Sequence, residues 1–463
     1  MASSRKSRRS DLERRVAAEL ARRVPRGARL TLALSGGVDS IAALDLLARL
    51  APEHPFGLDC LHVDHRISPN ARAWARFARA AAARYGLRCT VRNVDLAPYR
   101  RLGLEGAARR ARYAALARAR SDFVVLAQHA DDQAETVLLQ LVRGAGTAGL
   151  AGMAPAGPPG KGGPVLLRPF LGASRAEIER YARGRGLEWV EDESNADERR
   201  ARNLVRARVI PLLAELNPAA ASNLARSAAH LAEAHELARA LAGIDARTAM
   251  REGRLSAAAL GRLPAARAKN LLRWAIAQAG IEAPSASRLD ECLRQLATAR
   301  GDAAVRLALD GAEVRRFRDG VWIVPEQSPP PRGYHAAWPG RRAWRVAELG
   351  GTLTFKATAG AGLAARALAA GPIEVRLRRG GERFRPDPRR PRRTLKALLQ
   401  ESGLPPWERE RLPLVYAAGK LVAVPGIGIA AEAAARAGER GWAIAWTPDR
   451  SKLWQKPAKP MLK

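Results

Sequence analysis

The chain reads LTLALSGGVDSIAALDLLARL over residues 30–50, and this stretch decides the fold class. An apolar run from Leu30 to Leu34 comes first and is followed by a glycine-rich segment. After that segment, apolar residues recur at helical spacing, at Ile41, Leu44, Leu47 and Leu50. This pattern predicts a buried strand, a glycine turn and a helix. The same alternation returns over 58–94 and from 123 onward, which predicts an α/β fold with a parallel sheet.

The charge balance indicates a polyanionic partner. The 463 residues include 79 Lys and Arg against 45 Asp and Glu, which gives a formal net charge of +34. Because 47% of the residues are hydrophobic, wholesale disorder is excluded. At about 150 residues per domain, roughly three domains are expected. No stretch approaches the roughly 20 consecutive apolar residues of a membrane span, and the first residues lack an apolar signal core, so we expect a cytoplasmic protein without a membrane partner.

The three cysteines, Cys60, Cys89 and Cys292, are odd in number and far apart in the sequence. This spacing argues against a disulfide framework and against a CxxC site for a metal or for sulfur relay. We therefore expect buried or incidental thiols.

Shifts in composition divide the chain into six predicted segments. A basic extension over 1–24 precedes a nucleotide-binding catalytic domain over 25–215 and a mainly helical middle domain over 216–326. A linker region over 327–370, which begins near a proline run, leads to a small α+β domain over 371–445 and a basic tail over 446–463. Within the catalytic domain, the glycines and prolines of 157–164 predict a mobile loop near the site.

The glycine-rich segment itself has the features of a phosphate-binding loop. It comprises Ser35, Gly36, Gly37, Val38, Asp39 and Ser40 and lies between a predicted strand and a predicted helix. Free backbone N–H groups and the helix dipole attract phosphate at such a position, and glycine lets the backbone come close. An ordinary helix cap is an equally good explanation of these six residues alone, since Ser and Asp are common N-caps. The Walker arrangement of Gly, Lys and Ser/Thr is absent, so P-loop γ-phosphate transfer is not supported.

Further motifs follow in order and extend the comparison beyond this loop. They are HVDH at 62–65, EGAAR at 105–109 with Arg112, HADDQAET at 129–136, RPF at 168–170, and EDESNAD at 191–197 with Arg202, Asn203 and Arg206. With SGGVDS they resemble tRNA(Ile)-lysidine synthetase, a family of PP-loop ATP pyrophosphatases, and the match covers most of 30–215. Motifs around Arg379–Phe384, Leu395–Leu399, Pro405–Arg409 and Val424–Gly428 resemble the C-terminal domain of the long form of that family.

The resemblance implies an activity and its substrates. The family uses ATP to adenylate the C2 oxygen of the wobble cytidine in tRNA(Ile) with a CAU anticodon, and the ε-amine of L-lysine then displaces AMP to form lysidine. It also implies a tRNA-binding C-terminal domain, and the oligomeric state stays open, a homodimer included.

The same resemblance implies roles for individual residues. Asp39, Asp132 and Arg202 are the expected catalytic residues, and Asp39 and Asp132 are the expected Mg²⁺ ligands. The expected ATP contacts are Ser35, Gly36, Gly37, Val38, Asp39, Ser40, His62 and Val63, and lysine is expected at Asp132 and Glu135. The expected tRNA or phosphate contacts are Arg112, Arg202, Asn203, Arg206, Arg379, Arg383 and Lys396.

Several alternatives remain open from the residues alone. Asp131, Asp132 and Glu135 could form the acidic first turn of a solvated helix, and the arginine-rich run over 371–400 could be a solvated basic loop. Trp407 could belong to the core or serve as a stacking platform. A PP-loop enzyme that thiolates tRNA, a non-catalytic RNA-binding protein and a small-molecule PP-loop ligase are the competing functions. The cysteine spacing, the intact loop and the net charge, respectively, argue against them.

Overall fold

The computed structural model describes residues 9–157, 163–191, 193, 197–251, 253–282, 284–298, 305–309, 311–326 and 328–449. Most of the predicted loop over 157–164 and most of the predicted basic tail lie outside these residues. The chain forms two compact units, Met1–Leu237 and Ala238–Lys463. Within the described ranges, no helix is both long and apolar enough to cross a membrane.

The first unit is built around a six-stranded sheet with the strand order β3-β2-β1-β4-β6-β5. All neighbours pair in parallel except the edge strand β5, which runs antiparallel to β6. The strands are β1 (Arg29–Ala33), β2 (Gly57–Asp64), β3 (Cys89–Asn93), β4 (Phe123–Val125), β5 (Ala156–Gly157) and β6 (Val165–Leu167). The predicted parallel α/β fold is confirmed.

Helices follow the strands in the alternation that a parallel sheet requires. They are α1 (Asp11–Arg23), α2 (Val38–Leu50), α3 (Ala71–Ala83), α4 (Gly103–Leu116), α5 (Ala130–Val142), α6 (Thr147–Leu150), α7 (Arg175–Gly184), α8 (Ala201–Leu204), α9 (Ile210–Leu216) and α10 (Ala220–Ala249). A 3₁₀ turn, Ala97–Leu102, precedes α4, and a π-helical turn, Val205–Val209, joins α8 to α9. Helix α10 begins in the first unit and ends in the second.

Residues 11–23, which the sequence placed in a basic extension, form a packed helix instead. Ser10 caps α1 by accepting a hydrogen bond from the backbone N–H of Glu13 at 3.2 Å. Leu12, Val16 and Leu20 recur on one face and belong to the main core of the unit. The many arginines of α1 occupy its remaining faces, so a basic composition conceals an amphipathic helix.

A buried carboxylate links the helix after the phosphate loop to a neighbouring helix. Asp45 on α2 is 1% exposed. It accepts a hydrogen bond from the Tyr85 hydroxyl at 2.9 Å and another from the Tyr181 hydroxyl on α7. Arg185, just after α7, adds hydrogen bonds from Nε at 3.2 Å and Nη2 at 3.3 Å. The contacts fix α2 relative to α7.

After α10, the second unit continues with three helices and an antiparallel sheet. The helices are α11 (Ala257–Arg262), α12 (Ala265–Gln278) and α13 (Ala286–Thr298). The strands are β7 (Met250–Arg251), β8 (Arg254–Ser256), β9 (Arg306–Leu309), β10 (Ala312–Phe317) and β11 (Gly320–Pro325). They pair in the order β7-β8-β11-β10-β9 and share one core with the helices.

The rest of the second unit is β-rich and includes most of the predicted linker region over 327–370. Its strands are β12 (His335–Ala337), β13 (Ala343–Val346), β14 (Gly351–Ala359), β15 (Leu363–Ala364), β16 (Ile373–Arg376), β17 (Arg383–Phe384), β18 (Arg393–Thr394), β19 (Leu414–Ala417), β20 (Lys420–Val424), β21 (Gly428–Ile429) and β22 (Arg440–Pro448). Its helices are α14 (Ala365–Ala369), α15 (Leu395–Glu401) and α16 (Pro406–Arg409). Because β14 pairs with β22 along its whole length, residues from the linker region belong to the terminal domain.

Two aromatic residues join these two parts of the second unit. Trp322 of β11 meets Trp407 of α16 edge to face, with ring centroids 5.5 Å apart at 80°. The guanidinium of Arg315 stacks on Trp407 at 5.1 Å, and Arg318 donates a hydrogen bond from Nη2 to the Gln400 carbonyl at 3.0 Å. Trp407 therefore serves as a packing residue at a domain junction.

Candidate active site

The phosphate loop connects β1 to α2, and its shape depends on a glycine. Gly36 has φ +97°, and a Cβ there would lie 2.9 Å from Cγ2 of Val190. The Ser40 hydroxyl holds the turn, because it accepts hydrogen bonds at 3.0 Å from the Gly36 N–H and from the Ser35 hydroxyl. It also donates to the Gly37 carbonyl at 3.0 Å. Hydrogen bonds within the loop therefore hold its shape.

The helix-cap explanation of this loop does not fit its geometry. The N-cap of α2 is Gly37, which has no side chain with which to cap the first turn. Ser35 and Asp39 flank that position and do not occupy it. The N–H groups of the first turn therefore have no capping side chain, as in helix termini that bind anions.

Asp39 lies in the first turn of α2 with its carboxylate partly enclosed. Its Oδ1 atom is buried and accepts no hydrogen bond from any described residue. The ring of His129 approaches it, with Nε2 3.7 Å from that atom. Burial raises the pKa of Asp39, and the neighbouring His129 limits the rise. An unpartnered carboxylate oxygen beside a phosphate loop is suited to a cation that arrives with the nucleotide.

His129 is the centre of an acidic cluster that the sequence analysis did not recognise. Its side chain is 2% exposed, its Nε2 lies 3.5 Å from Asp132 Oδ2, and its Nδ1 lies 3.5 Å from Asp131 Oδ2. Burial alone would lower the pKa of His129, but the Asp131, Asp132 and Asp39 carboxylates outweigh burial and raise it. The HADD motif could have indicated this cluster, because it follows β4, which neighbours β1 in the sheet.

Asp132 and Glu135 share one face of α5, as their spacing predicts, and two arginines reach both of them. Glu135 accepts hydrogen bonds from Arg202 Nε at 2.6 Å and from Arg206 Nε at 2.6 Å. Asp132 Oδ1 accepts from Arg202 Nη2 at 3.0 Å and from Arg206 Nη2 at 3.4 Å. We call Asp132, Glu135, Arg202 and Arg206 the four-residue ion-pair cluster. Glu135 is 0% exposed, so these acids are not a solvated helix face.

Three residues predicted to contact tRNA or phosphate, Arg202, Asn203 and Arg206, make hydrogen bonds within the protein. Arg206 directs its guanidinium at carboxylates of the cluster. Asn203 is 8% exposed and donates from Nδ2 to the Asp197 carbonyl at 3.0 Å, which holds the segment before α8.

His62 lies within β2, near its carboxyl end, and points inward. Its ring is 5% exposed, and Nδ1 lies 2.9 Å from the Leu34 carbonyl, so it supports the strand that leads into the phosphate loop. Burial, and then the charge of Arg112, lowers the pKa of His65 to about 4. Arg112 donates from Nε to His65 Nε2 at 3.4 Å. His65 is therefore a neutral acceptor at neutral pH.

The predicted C-terminal contacts do not share one site. Arg383 lines a cavity of about 750 Å³ together with Arg366, Arg385, Arg392, Lys420 and Glu432, over a floor of small apolar side chains. Arg379 and Lys396 are exposed and do not line this cavity. Five cations against one carboxylate suit a phosphate-bearing ligand, and Arg366 and Lys420 were not singled out by the sequence.

Two of the three cysteines are neighbours in space. Cys60 and Cys89 are register partners in β2 and β3, and Cys292 lies in the second unit. Burial raises the pKa of both Cys60 and Cys292 to about 12 and also raises that of Cys89. A thiol with so high a pKa is a poor nucleophile, so the pair does not support sulfur transfer.

The fold and the loop together define a class. A family model described as a PP-loop domain matches residues 9–213, so the first unit is an ATP-using domain of the PP-loop type. Models described as the TilS substrate binding domain and the TilS substrate C-terminal domain match residues 255–322 and 373–446.

Full-length relatives give the particular family. The chain is 43% identical over 420 residues to the tRNA(Ile)-lysidine synthase of Azoarcus sp. (strain BH72), with 91% of this chain and 92% of the relative covered. It is 39% identical to the tRNA(Ile)-lysidine synthase of Nitrosomonas europaea, with 92% and 93% covered. This chain belongs to the tRNA(Ile)-lysidine synthase family.

Solved structures add a distant likeness. The U34-tRNA thiolase NcsA from Methanococcus maripaludis aligns at a TM-score of 0.41 and 19% identity, covering 48% of this chain and 78% of that one. A TilS C-terminal domain aligns at a TM-score of 0.20 and 24% identity, covering 25% of this chain and 98% of that one.

Proposed function

We propose that this chain is an ATP-dependent ligase that converts the wobble cytidine of CAU-anticodon tRNA(Ile) to lysidine. The observation that supports it most is that a phosphate loop and a cluster of carboxylates meet at the carboxyl ends of the strands in one sheet. His129 lies 3.7 Å from Asp39 in the loop and 3.5 Å from Asp132 on α5. This proximity supports adjacent sites for the nucleotide and the amine.

The first step needs a site for pyrophosphate. The cytosine C2 oxygen attacks the α-phosphorus of ATP, the bond to the β-phosphate oxygen breaks, and pyrophosphate leaves. The loop from Ser35 to Ser40 supplies N–H groups and hydroxyls at the positive end of α2 for that leaving group.

The second step needs a positioned amine. The ε-amine of lysine attacks C2, the C2–oxygen bond breaks, AMP leaves with the oxygen, and the amine loses a proton. Asp132 and Glu135 are carboxylates suited to an ammonium group, and Arg202 is suited to the phosphate of the leaving AMP.

Mg²⁺ fits the residues at the loop. Asp39 Oδ1 is buried and unpartnered among the described residues, and Asp132 approaches the same His129 nitrogen. No group of three or more His, Cys, Asp or Glu side chains in the described ranges forms a complete metal site. Mg²⁺ is usually held by one or two carboxylates plus phosphate oxygens, and Asp39 and Asp132 would supply the carboxylates. When bound, the ion would offset charge on the departing pyrophosphate. A homodimer and a cytoplasmic location stay predictions.

The test combines two tRNA(Ile) transcripts that differ only in cytidine or uridine at the wobble position with ATP, Mg²⁺ and radiolabelled lysine. We expect incorporation into the cytidine transcript alone, and its loss in Asp39→Asn and Asp132→Asn. Asp122→Asn is the matched control. Asp122 immediately precedes β4, at the end of the strands that lies away from the phosphate loop, so this variant should retain activity. Tight tRNA binding without any incorporation by the wild-type protein would contradict the proposal.

A further inference from the structure

Glu135 already has a full set of cationic partners. Its side chain is 1% exposed, and Oε1 accepts from Arg206 Nε while Oε2 accepts from Arg202 Nε at 2.6 Å and Arg206 Nη2 at 3.2 Å. Asp132 Oδ1 is likewise engaged by both guanidinium groups. A substrate ammonium group would therefore have to share Glu135 with both guanidinium groups in this arrangement.

The charge balance of the four-residue ion-pair cluster also opposes an added ammonium group. Within the four-residue ion-pair cluster itself, two carboxylates balance two guanidinium groups, so an added ammonium would give the cluster an excess positive charge. An uncompensated charge in a largely buried site is costly. Lysine can bind at Glu135 when one guanidinium leaves for another anion.

Arg206 is better placed to leave than Arg202. The Arg206 side chain is 31% exposed against 20% for Arg202. Arg202 also donates from Nη2 to the main-chain carbonyl of Asp132 at 3.3 Å, whereas the three acceptors of Arg206 are all side-chain oxygens. Arg206 lies within the π-helical turn Val205–Val209, a type of turn that is frequent at functional sites. Its charge also acts on Asp39 in the phosphate loop, so an anion bound there is within its electrostatic reach.

We propose that Arg206 occupies the place of the lysine ammonium group at Glu135 and transfers to a phosphate of bound ATP when lysine enters. Arg206 is thus a positioning residue, and lysine binds well only after the nucleotide. The inference rests on the proposed function and on the assignment of lysine to Asp132 and Glu135. It gives Arg206, which was predicted to contact tRNA or phosphate, a phosphate of ATP as its partner.

The test measures lysine affinity by equilibrium dialysis of the full chain, with and without Mg²⁺ and α,β-methylene-ATP. If Arg206 frees Glu135 in about one molecule in ten, nucleotide should tighten wild-type lysine binding about tenfold. Arg206→Gln should bind lysine without nucleotide about tenfold more tightly than wild type and respond little to the analogue. A variant that binds lysine no more tightly than wild type would overturn the proposal.

Two further variants keep the outcome decisive. Arg208→Gln is the matched control, since Arg208 lies in the same π-helical turn but pairs with Glu198 and should behave as wild type. Arg206→Lys keeps the charge but loses the two-nitrogen grip on Glu135, so it should tighten lysine binding about threefold without nucleotide. This variant decides the matter if Arg206→Gln does not fold, and an unchanged or weaker affinity overturns the proposal.

Lysidine formation by the wild-type protein distinguishes failure of the Arg206 role from failure of the proposed function. If it forms lysidine while the Arg206 variants bind lysine as wild type does, Arg206 does not occupy the place of the lysine ammonium group, and the proposed function stands. If it forms no lysidine with any cytidine transcript, the proposed function fails first.

Discussion

Asp45 shows how a single residue can tie the nucleotide site to the stability of its domain. Burial would raise the pKa of Asp45, but hydrogen bonds from Arg185, Tyr181 and Tyr85 outweigh it and lower the pKa below the ordinary value of 3.8. We expect Asp45→Asn to lower the free energy of unfolding of the first unit by about 3 kcal/mol at pH 7, because Arg185 loses its buried partner. Hydrogen exchange of α2 and α7 amides in urea measures this.

The pH dependence of this contribution has a definite sign. A lowered pKa in the folded state stabilises fully above the ordinary value of 3.8 and loses its effect as pH falls through the folded-state pKa. The difference between wild type and Asp45→Asn should thus stay constant from pH 7 to about pH 5 and shrink below pH 4. Glu188→Gln, which breaks the exposed pair with Arg84, is the control and should cost under about 1 kcal/mol. Equal losses in the two variants at pH 7 would contradict the argument.

The turn between β1 and α2 gives a prediction at the scale of an element. In Gly36→Ala the new Cβ would meet Val190 at 2.9 Å on a backbone with φ +97°, so the loop must change shape. We expect ATP–pyrophosphate exchange in the presence of tRNA to fall by more than about tenfold, because loop geometry sets the phosphate contacts. Filter binding of tRNA should be unchanged.

Gly86→Ala provides the matched control for the turn. Gly86 also has a positive φ, +69°, but a Cβ there meets nothing within 4 Å. It should lose about 1 kcal/mol of stability from backbone strain and keep its exchange rate. Similar exchange rates in both alanine variants would show that the shape of the phosphate loop does not matter.

At the scale of the whole molecule, the net charge of +34 predicts strongly salt-dependent RNA binding. The slope of log affinity against log salt is negative. Arg383→Ala and Lys420→Ala in the 750 Å³ cavity should each make it less steep, by about 0.9. Arg294→Gln, on an exposed face and paired with Glu291, should leave the slope unchanged. Electrophoretic mobility shifts at four salt concentrations measure the slopes, and equal slopes in all variants would remove the cavity from the RNA interface.

The junction between Trp322 and Trp407 should make the second unit unfold as one body. Because Trp407 is only half-buried, Trp407→Ala should cost about 1–3 kcal/mol, and it should expose Trp322 to acrylamide quenching. Trp407→Phe should keep most of the stability, since the buried Nε1 of Trp407 donates no hydrogen bond to a described residue. Calorimetry and quenching check this, and an unchanged transition in Trp407→Ala would contradict it.

Local patterns made much of this architecture predictable, whereas distant pairings did not. The run from Leu30 to Ser40 predicts its strand, loop and helix because each depends on neighbours in sequence. The spacing of Asp132 and Glu135 predicts their common face for the same reason. The pairing of β14 with β22 joins residues about 90 positions apart and has no local signal. The partnership of Arg206 with Glu135 spans 71 positions and depends on a π-helical turn, which helical periodicity does not indicate.

The unreactive thiols of Cys60, Cys89 and Cys292 have a practical consequence for following motion. Maleimide dyes couple to thiolates, and all three native cysteines have raised pKa values. The native cysteines should therefore react slowly with such reagents. One exposed cysteine introduced into each compact unit would carry a donor and an acceptor dye, so that fluorescence energy transfer could follow the distance between the units as tRNA is added.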